Sequence, residues 1–328
     1  NPFSVPSNNP LKVSNDPTVS ENLIWAYGLR NAHRFSFDTA GEGTMLISDI
    51  GQGSIEEINI GKPGANYGWD QREGTFATTS NPNIVSLLPA NHATDGFTYP
   101  VAQYDHINNV VNQSVAIVGG SVYRGSGVPQ LTGMYLFGDF ATNPGPIFAV
   151  DVDDLVERDD FTNLDDFNDG LLAPFEEVQP TFGGVDKTFT EIISDELGFG
   201  TNRSDLRFGV GPDEEIYVLN KRDGVVRRIA SVSGLLDGDA DRNGVVDGFD
   251  FLTWQQHAGG SGDWSTGDFN GDGVVDSTDL GLLESEYGNT SLSAAATTVP
   301  EPGTATLVVA LGLPLLGRGS RGTRSRQP

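Results

Sequence analysis

The sequence contains no cysteine, so no disulfide framework stabilises it, and any reinforcement beyond an ordinary core must come from bound metal. Positive charge is scarce. Nineteen Lys and Arg face 45 Asp and Glu, a formal charge of -26, and Arg318, Arg321, Arg324 and Arg326 crowd four of the nineteen into the last eleven residues. A surface this acidic excludes nucleic-acid phosphate as a partner, because phosphate binding needs clustered cations. Long apolar runs are also missing: the longest candidate, Thr304 to Leu316, spans thirteen residues and contains Pro314, whereas a stable transmembrane helix needs roughly 20.

What is abundant is turn chemistry. Forty-two glycines and 18 prolines punctuate short β-branched and aromatic runs over residues 1–232, such as Val115 to Tyr123, Gly133 to Asp139 and Glu215 to Leu219. The pattern predicts an all-β body with little helix. Units such as VGGSVYRG, GMYLFGDF and GPDEEIYVLN repeat one apolar strand with flanking turns, the signature of propeller blades, although pattern alone also allows a sandwich. The carboxylate-rich stretch Asp151 to Asp169 matches no metal-loop spacing and reads as a solvated loop between strands.

From Leu235 to Tyr287 the composition shifts to twelve acids against one Arg, in two similar halves. The first half places Asp239, Asp241, Asn243, Val245, Asp247 and Asp250 at loop positions 1, 3, 5, 7, 9 and 12, and the second places Asp268, Asn270, Asp272, Val274, Asp276 and Asp279 at the same offsets. Gly244 and Gly273 occupy position 6. This spacing wraps oxygens around a hard cation, with the residue at position 7 contributing its carbonyl, and so predicts calcium. Helices are expected over Asp250 to Ala258 and Asp279 to Tyr287. Asp rather than Glu at position 12, and no helix ahead of either loop, resemble the type I dockerin, which implies a cohesin-like partner. That family reads its partner through positions 10 and 11; Ser277 and Thr278 suit the role, while Gly248 and Phe249 depart from it.

The runs IWAYGLRNAHRFSFD (Ile24 to Asp38), SDIGQ (Ser48 to Gln52), EEIN (Glu56 to Asn59), ANYGW (Ala65 to Trp69), YDH (Tyr104 to His106), GGSVYRG (Gly119 to Gly125) and YLFGDF (Tyr135 to Phe140) resemble the glucose/sorbosone dehydrogenase family. The resemblance implies a six-bladed β-propeller that oxidises sugars with pyrroloquinoline quinone, of which only part of the ring, about four blades, is present here. It implies that Arg30 and Asn31 polarise the quinone carbonyl, that the carbonyls of Gly51 and Gln52 hold a calcium beneath the cofactor, and that Glu57 and the carbonyl of Tyr67 hold a structural calcium. The histidine that this family uses as general base precedes the Arg-Asn pair, and residues 1–29 contain none. His33, His92, His106 and His257 read as structural or exposed. A non-catalytic binding propeller is the alternative.

A small-residue linker (290–298) leads to Val299-Pro300-Glu301-Pro302, the short apolar run and the arginine-rich end. That order resembles the PEP-CTERM sorting signal, implying an exported surface protein, an exosortase partner, transient inner-membrane contact only, and an export signal upstream of Asn1.

Overall fold

The computed structural model describes residues 4–290 apart from 42, 82, 107–115, 141–143, 159–171, 184, 231 and 234. The expected linker beyond Thr290, the sorting tail and most of the Asp151 to Asp169 stretch lie outside the described residues. Among the described residues no helix is long and apolar enough to cross a membrane.

The body is mostly β, as expected, with two α-helices among the described residues. Strands β1 (Ala32–Phe37), β2 (Met45–Asp49) and β3 (Ile55–Ile60) form an antiparallel meander. A small side sheet of β4 (Arg72–Glu73), β5 (Phe76–Thr78) and β6 (Val85–Ser86) follows, and β7 (Ala102–Asp105) then returns to pair with β3. The second large sheet contains β8 (Ile117–Val122), β9 (Met134–Asp139), β10 (Ile147–Asp151) and, after α1 (Val152–Glu157), the short β11 (Glu176–Glu177). Next come β12 (Gln179–Phe182) and β13 (Val185–Asp186), then helix α2 (Phe189–Leu197) and the third radial sheet, β14 (Leu206–Val210), β15 (Ile216–Asn220) and β16 (Val226–Arg228). β17 (Val232–Ser233) closes back on β12.

The first strand of each large sheet is its inner one. β8 lies between β1 and β14, and this close approach is possible because Gly119 and Gly120 have no side chains: a Cβ on Gly119 would sit 3.2 Å from Arg34 Cβ of β1, and one on Gly120 3.3 Å from the Phe208 ring of β14. Arg34 donates across the gap to the Phe208 carbonyl at 2.7 Å, and Ser48 meets the Tyr135 hydroxyl at 3.1 Å. Two apolar clusters fill the spaces between sheets. Tyr104, Tyr135, Phe137 and Phe148 centre the first; Leu136, Ile193, Leu206 and Phe208 centre the second. Each such side chain contributes roughly 1.5–3 kcal/mol by leaving water.

Among the described residues three radial sheets are present, and they do not close a ring. The other described strands form the side sheet and the β12–β13–β17 ribbon. The acidic stretch is corrected. Its start is helix α1, capped by Asp151, which accepts the Asp153 N–H at 2.9 Å, with Val152 and Leu155 buried at helical spacing.

The last described module packs Val246, Trp264, Phe269 and Leu283 between α3 (Gly248–His257) and α4 (Ser277–Glu286). Both helices start two residues before their expected positions, because Asp247 and Asp276 act as N-caps and Asp250 and Asp279 complete the capping boxes.

Candidate functional site

Arg30 and Asn31 enter β1 against the end of β2. Asp49 accepts the backbone N–H of Arg30 at 2.8 Å and of Asn31 at 2.6 Å, and Ile50 N–H closes the clamp on the Asn31 carbonyl. The Arg30 guanidinium then folds over the next loop. Its Nε donates to Gln52 Oε1 at 3.0 Å, its Nη1 to the carbonyls of Ile50 and Gly51 at 2.9 and 2.6 Å, and it lies 5.7 Å from the Trp69 ring centre. Nη2 has no hydrogen-bond partner among the described residues, so a fixed, half-buried cation keeps donors to spare. Asn31 is exposed.

Gln52, Trp69, Asp70 and Glu73 line part of an adjoining cleft of about 210 Å³ whose lining contains no Lys or Arg. Glu73 closes the loop beneath it. One carboxylate oxygen accepts the N–H groups of Gln52, Gly53, Ser54 and Ile55 at 2.8–3.0 Å. Gly51 cannot carry a side chain, since a Cβ there would stand 1.8 Å from the Ile55 carbonyl oxygen.

The expected cofactor calcium was assigned to the carbonyls of Gly51 and Gln52. The Gly51 oxygen is engaged by Arg30, and an ion at a calcium–oxygen distance of roughly 2.3–2.6 Å would crowd the guanidinium. In this arrangement the oxygen serves one cation, Arg30. The donor set does not fit a calcium as well.

The structural calcium is a better match. Glu57 lies directly across from Asp49 in the β2–β3 register, is buried, and accepts from Asn59 Nδ2 at 3.0 Å and from Gly74 N–H. Burial, reinforced by the charges of Asp49 and Glu73, pushes its carboxyl up to about 8. Asp49 is pushed up to about 6, again chiefly by burial. Beside them Asn59 is fully buried and its Oδ1 has no hydrogen-bond partner. Enclosed carboxylates with an orphaned amide oxygen make a donor set suited to a hard cation. The Tyr67 side chain is structural: its hydroxyl donates to the Ile60 carbonyl at 2.8 Å and accepts from Lys62 N–H at 3.0 Å.

A pair not assigned from sequence adjoins this region. His106 bonds Glu56 through Nε2, Glu56 is wholly buried, and its other oxygen accepts Ile117 N–H at 2.9 Å. Burial alone would lower the His106 pKa, but its bond to Glu56 outweighs this and raises it, so the imidazolium is favoured. Fifty residues separate the two, and no local pattern marks the pairing.

The first loop brings three of its expected ligand acids together. Carboxylate oxygens of Asp239, Asp241 and Asp250 lie within 4.8 Å of one another. Asp250 accepts Ala240 and Asp247 N–H at 2.8 Å each, and Asp279 accepts Phe269 and Asp276 N–H at 2.9 and 2.8 Å. Burial, with the charges of Asp250 and Asp241, pushes Asp239 up to about 7, the expected response of converging acids without a counter-ion. Asp247 and Asp276 also serve as caps, accepting Phe249 and Thr278 N–H at 2.7 Å. Asn243 and Asp272 are exposed at position 5. The carboxylate cluster of the first loop suits a hard cation such as calcium.

Residues 3–165 match the family model of glucose / sorbosone dehydrogenase. That segment belongs to this family. Residues 237–286 match the dockerin type I domain, so a glucose/sorbosone dehydrogenase segment and a type I dockerin share one chain. The HIPL2 protein of Arabidopsis thaliana is 36% identical over 143 residues, 43% of this chain and 20% of that protein. The HIPL1 protein of the same plant is 33% identical over 148 residues, with the same coverage. The chain thus spans about a fifth of the length of these curated relatives. Among solved structures, the PQQ-bound aldose sugar dehydrogenase of Streptomyces coelicolor is 17% identical, with a TM-score of 0.35, covering 69% of this chain and 48% of that one. The apo aldose sugar dehydrogenase of Escherichia coli is 19% identical, with a TM-score of 0.39, covering 68% and 50%.

Proposed function

We propose that this chain is part of an exported cell-surface quinoprotein that oxidises sugars of the aldose or sorbosone type with pyrroloquinoline quinone and calcium. Its dockerin holds calcium in both loops and joins a cohesin-like partner. The observation that carries the reading is Arg30, its backbone N–H held by Asp49 and its guanidinium by Ile50, Gly51 and Gln52, with Nη2 unpartnered among the described residues. When bound, the quinone accepts hydride from the sugar carbon. Arg30 would donate to the oxygen on which negative charge develops, a fixed interaction worth about 2.7–4 kcal/mol of barrier, and Asn31 stands ready as a second donor. Asp49 holds both residues in register. Glu57 and the Tyr67 carbonyl, with Asn59 beside them, would hold the structural calcium, whose charge would offset the acids packed behind the clamp. The Pro-Glu-Pro tail, residues 299–328, is read as a sorting signal cleaved by an exosortase, with transient inner-membrane contact and no nucleic-acid partner.

The test is dye reduction by the full-length protein loaded with quinone and calcium, across a panel of aldoses. Activity in the wild type that falls at least a hundredfold in Arg30→Ala, with folding intact, supports the reading; no reduction of dye by quinone-loaded wild type overturns it. Deleting residues 299–328 should remove the protein from the cell surface. The engagement of Gly51 by Arg30 favours a second reading, a non-catalytic sugar- or protein-binding propeller tethered by the dockerin. Sugar binding without quinone binding would select it.

A further inference from the structure

The dockerin rests on the propeller, and it does so through its calcium loops. Arg242 occupies position 4 of the first loop, between Asp241 and Asn243, in a left-handed conformation (φ 52°) unusual for a side-chain-bearing residue. Its guanidinium leaves the loop for the propeller. Nη1 pairs with Asp151 at the end of β10, and Nη2 donates to the Thr132 carbonyl at 2.5 Å. Gly271 holds position 4 of the second loop, also left-handed (φ 71°), and a Cβ there would stand 2.9 Å from Pro129. Equivalent positions of both loops thus straddle a single propeller turn, Pro129 to Thr132. Gln130 of that turn donates to Asp237 at 2.7 Å. The connection is short: Leu235 packs on the propeller's second apolar cluster and Leu236 on the dockerin's own.

Arg242 adjoins the ligand carboxylates in sequence, and its charge acts on any ion that they hold. Seated, the guanidinium is paired with Asp151 and drawn out of the loop. Released, it is available to the carboxylates of Asp239 and Asp241 and competes with a divalent ion for them. We propose that calcium loading of the first loop and seating of the dockerin on the propeller turn Pro129 to Thr132 are one coupled equilibrium, with Arg242 as the connecting residue. The coupling is reciprocal: whatever seating adds to calcium affinity, calcium adds to seating. Positions 10 and 11 of both loops, Gly248, Phe249, Ser277 and Thr278, are exposed in the seated form, so an external partner has access to them. The inference rests on the calcium reading of the loops.

Calorimetric titration of calcium into the full chain tests it, using Asp151→Asn, Arg242→Ala and the double variant. Asn keeps the cap on α1, so the fold is retained, and neither position contributes a ligand. Asp151→Asn is expected to weaken one site about tenfold, and Arg242→Ala to abolish that effect, leaving the double variant equal to Arg242→Ala. Amide exchange at residues 130–132 should slow on adding calcium in the wild type but not in Arg242→Ala. An unchanged affinity in Asp151→Asn, or the same loss in the Arg242→Ala background, overturns the coupling while calcium uptake stands. No uptake by the wild type overturns the calcium reading and the coupling with it.

Discussion

Asp49 accepts the backbone N–H groups of both Arg30 and Asn31, so one buried carboxylate fixes the direction in which the Arg30 side chain leaves the chain. Asp49→Ala strands two donors and should destabilise the protein by about 1–3 kcal/mol. Denaturant unfolding with an unchanged slope would measure it. Asp49→Asn, which retains one acceptor, should cost less.

Gly51→Ala should be more damaging than an exposed glycine-to-alanine change such as Gly41→Ala. The added carbon meets the Ile55 carbonyl at 1.8 Å, whereas Gly41 has open space around it, although its φ of 60° still disfavours Ala. Comparing the melting temperatures of the two variants checks the order.

The pH dependence follows from the raised carboxyls. Glu57 at about 8, Asp239 at about 7 and Asp49 at about 6 bind protons more tightly folded than unfolded. Their contribution to stability is therefore full below about pH 4 and is lost as pH rises through their folded values. In chelator, the melting temperature should fall between pH 5 and pH 8.5. Calcium, which stabilises the ionised forms, should narrow that fall; an equal decline with and without calcium would count against metal at these sites.

The two loops should respond alike to loss of the acid at position 12. Asp250 and Asp279 are each fully buried and accept backbone N–H groups from both ends of their loops. Asp250→Ala and Asp279→Ala should each remove one equivalent of bound calcium and unravel their own helix start, visible as lost amide protection at Phe249 or Thr278.

The dockerin was legible because its acids recur at fixed offsets within two twelve-residue loops, so spacing alone marks it. The Arg30–Asn31 string was legible in the same way. The groups that hold it were not. Asp49 meets Glu57 only through the β2–β3 register, Glu73 reaches the 52–55 loop from the side sheet, and Glu56 finds His106 across the β3–β7 pairing. Such contacts depend on how strands align, and a one-residue slip would exchange every face. The charge run at Asp151 misled for a local reason: its acids hid the apolar pair Val152 and Leu155, spaced for one helix face.

Residues just after α4 double back to the first loop. Val246 N–H bonds the Asn289 carbonyl at 3.1 Å, Gly288 N–H bonds that of Val246 at 2.8 Å, and Val245 bridges Thr290. Val245 is the residue whose carbonyl is assigned to the ion. Tension applied along the chain from beyond Thr290 would therefore arrive first at this turn, and an ion held there would act as a mechanical rivet whose strength sets how much pull the module withstands before it peels.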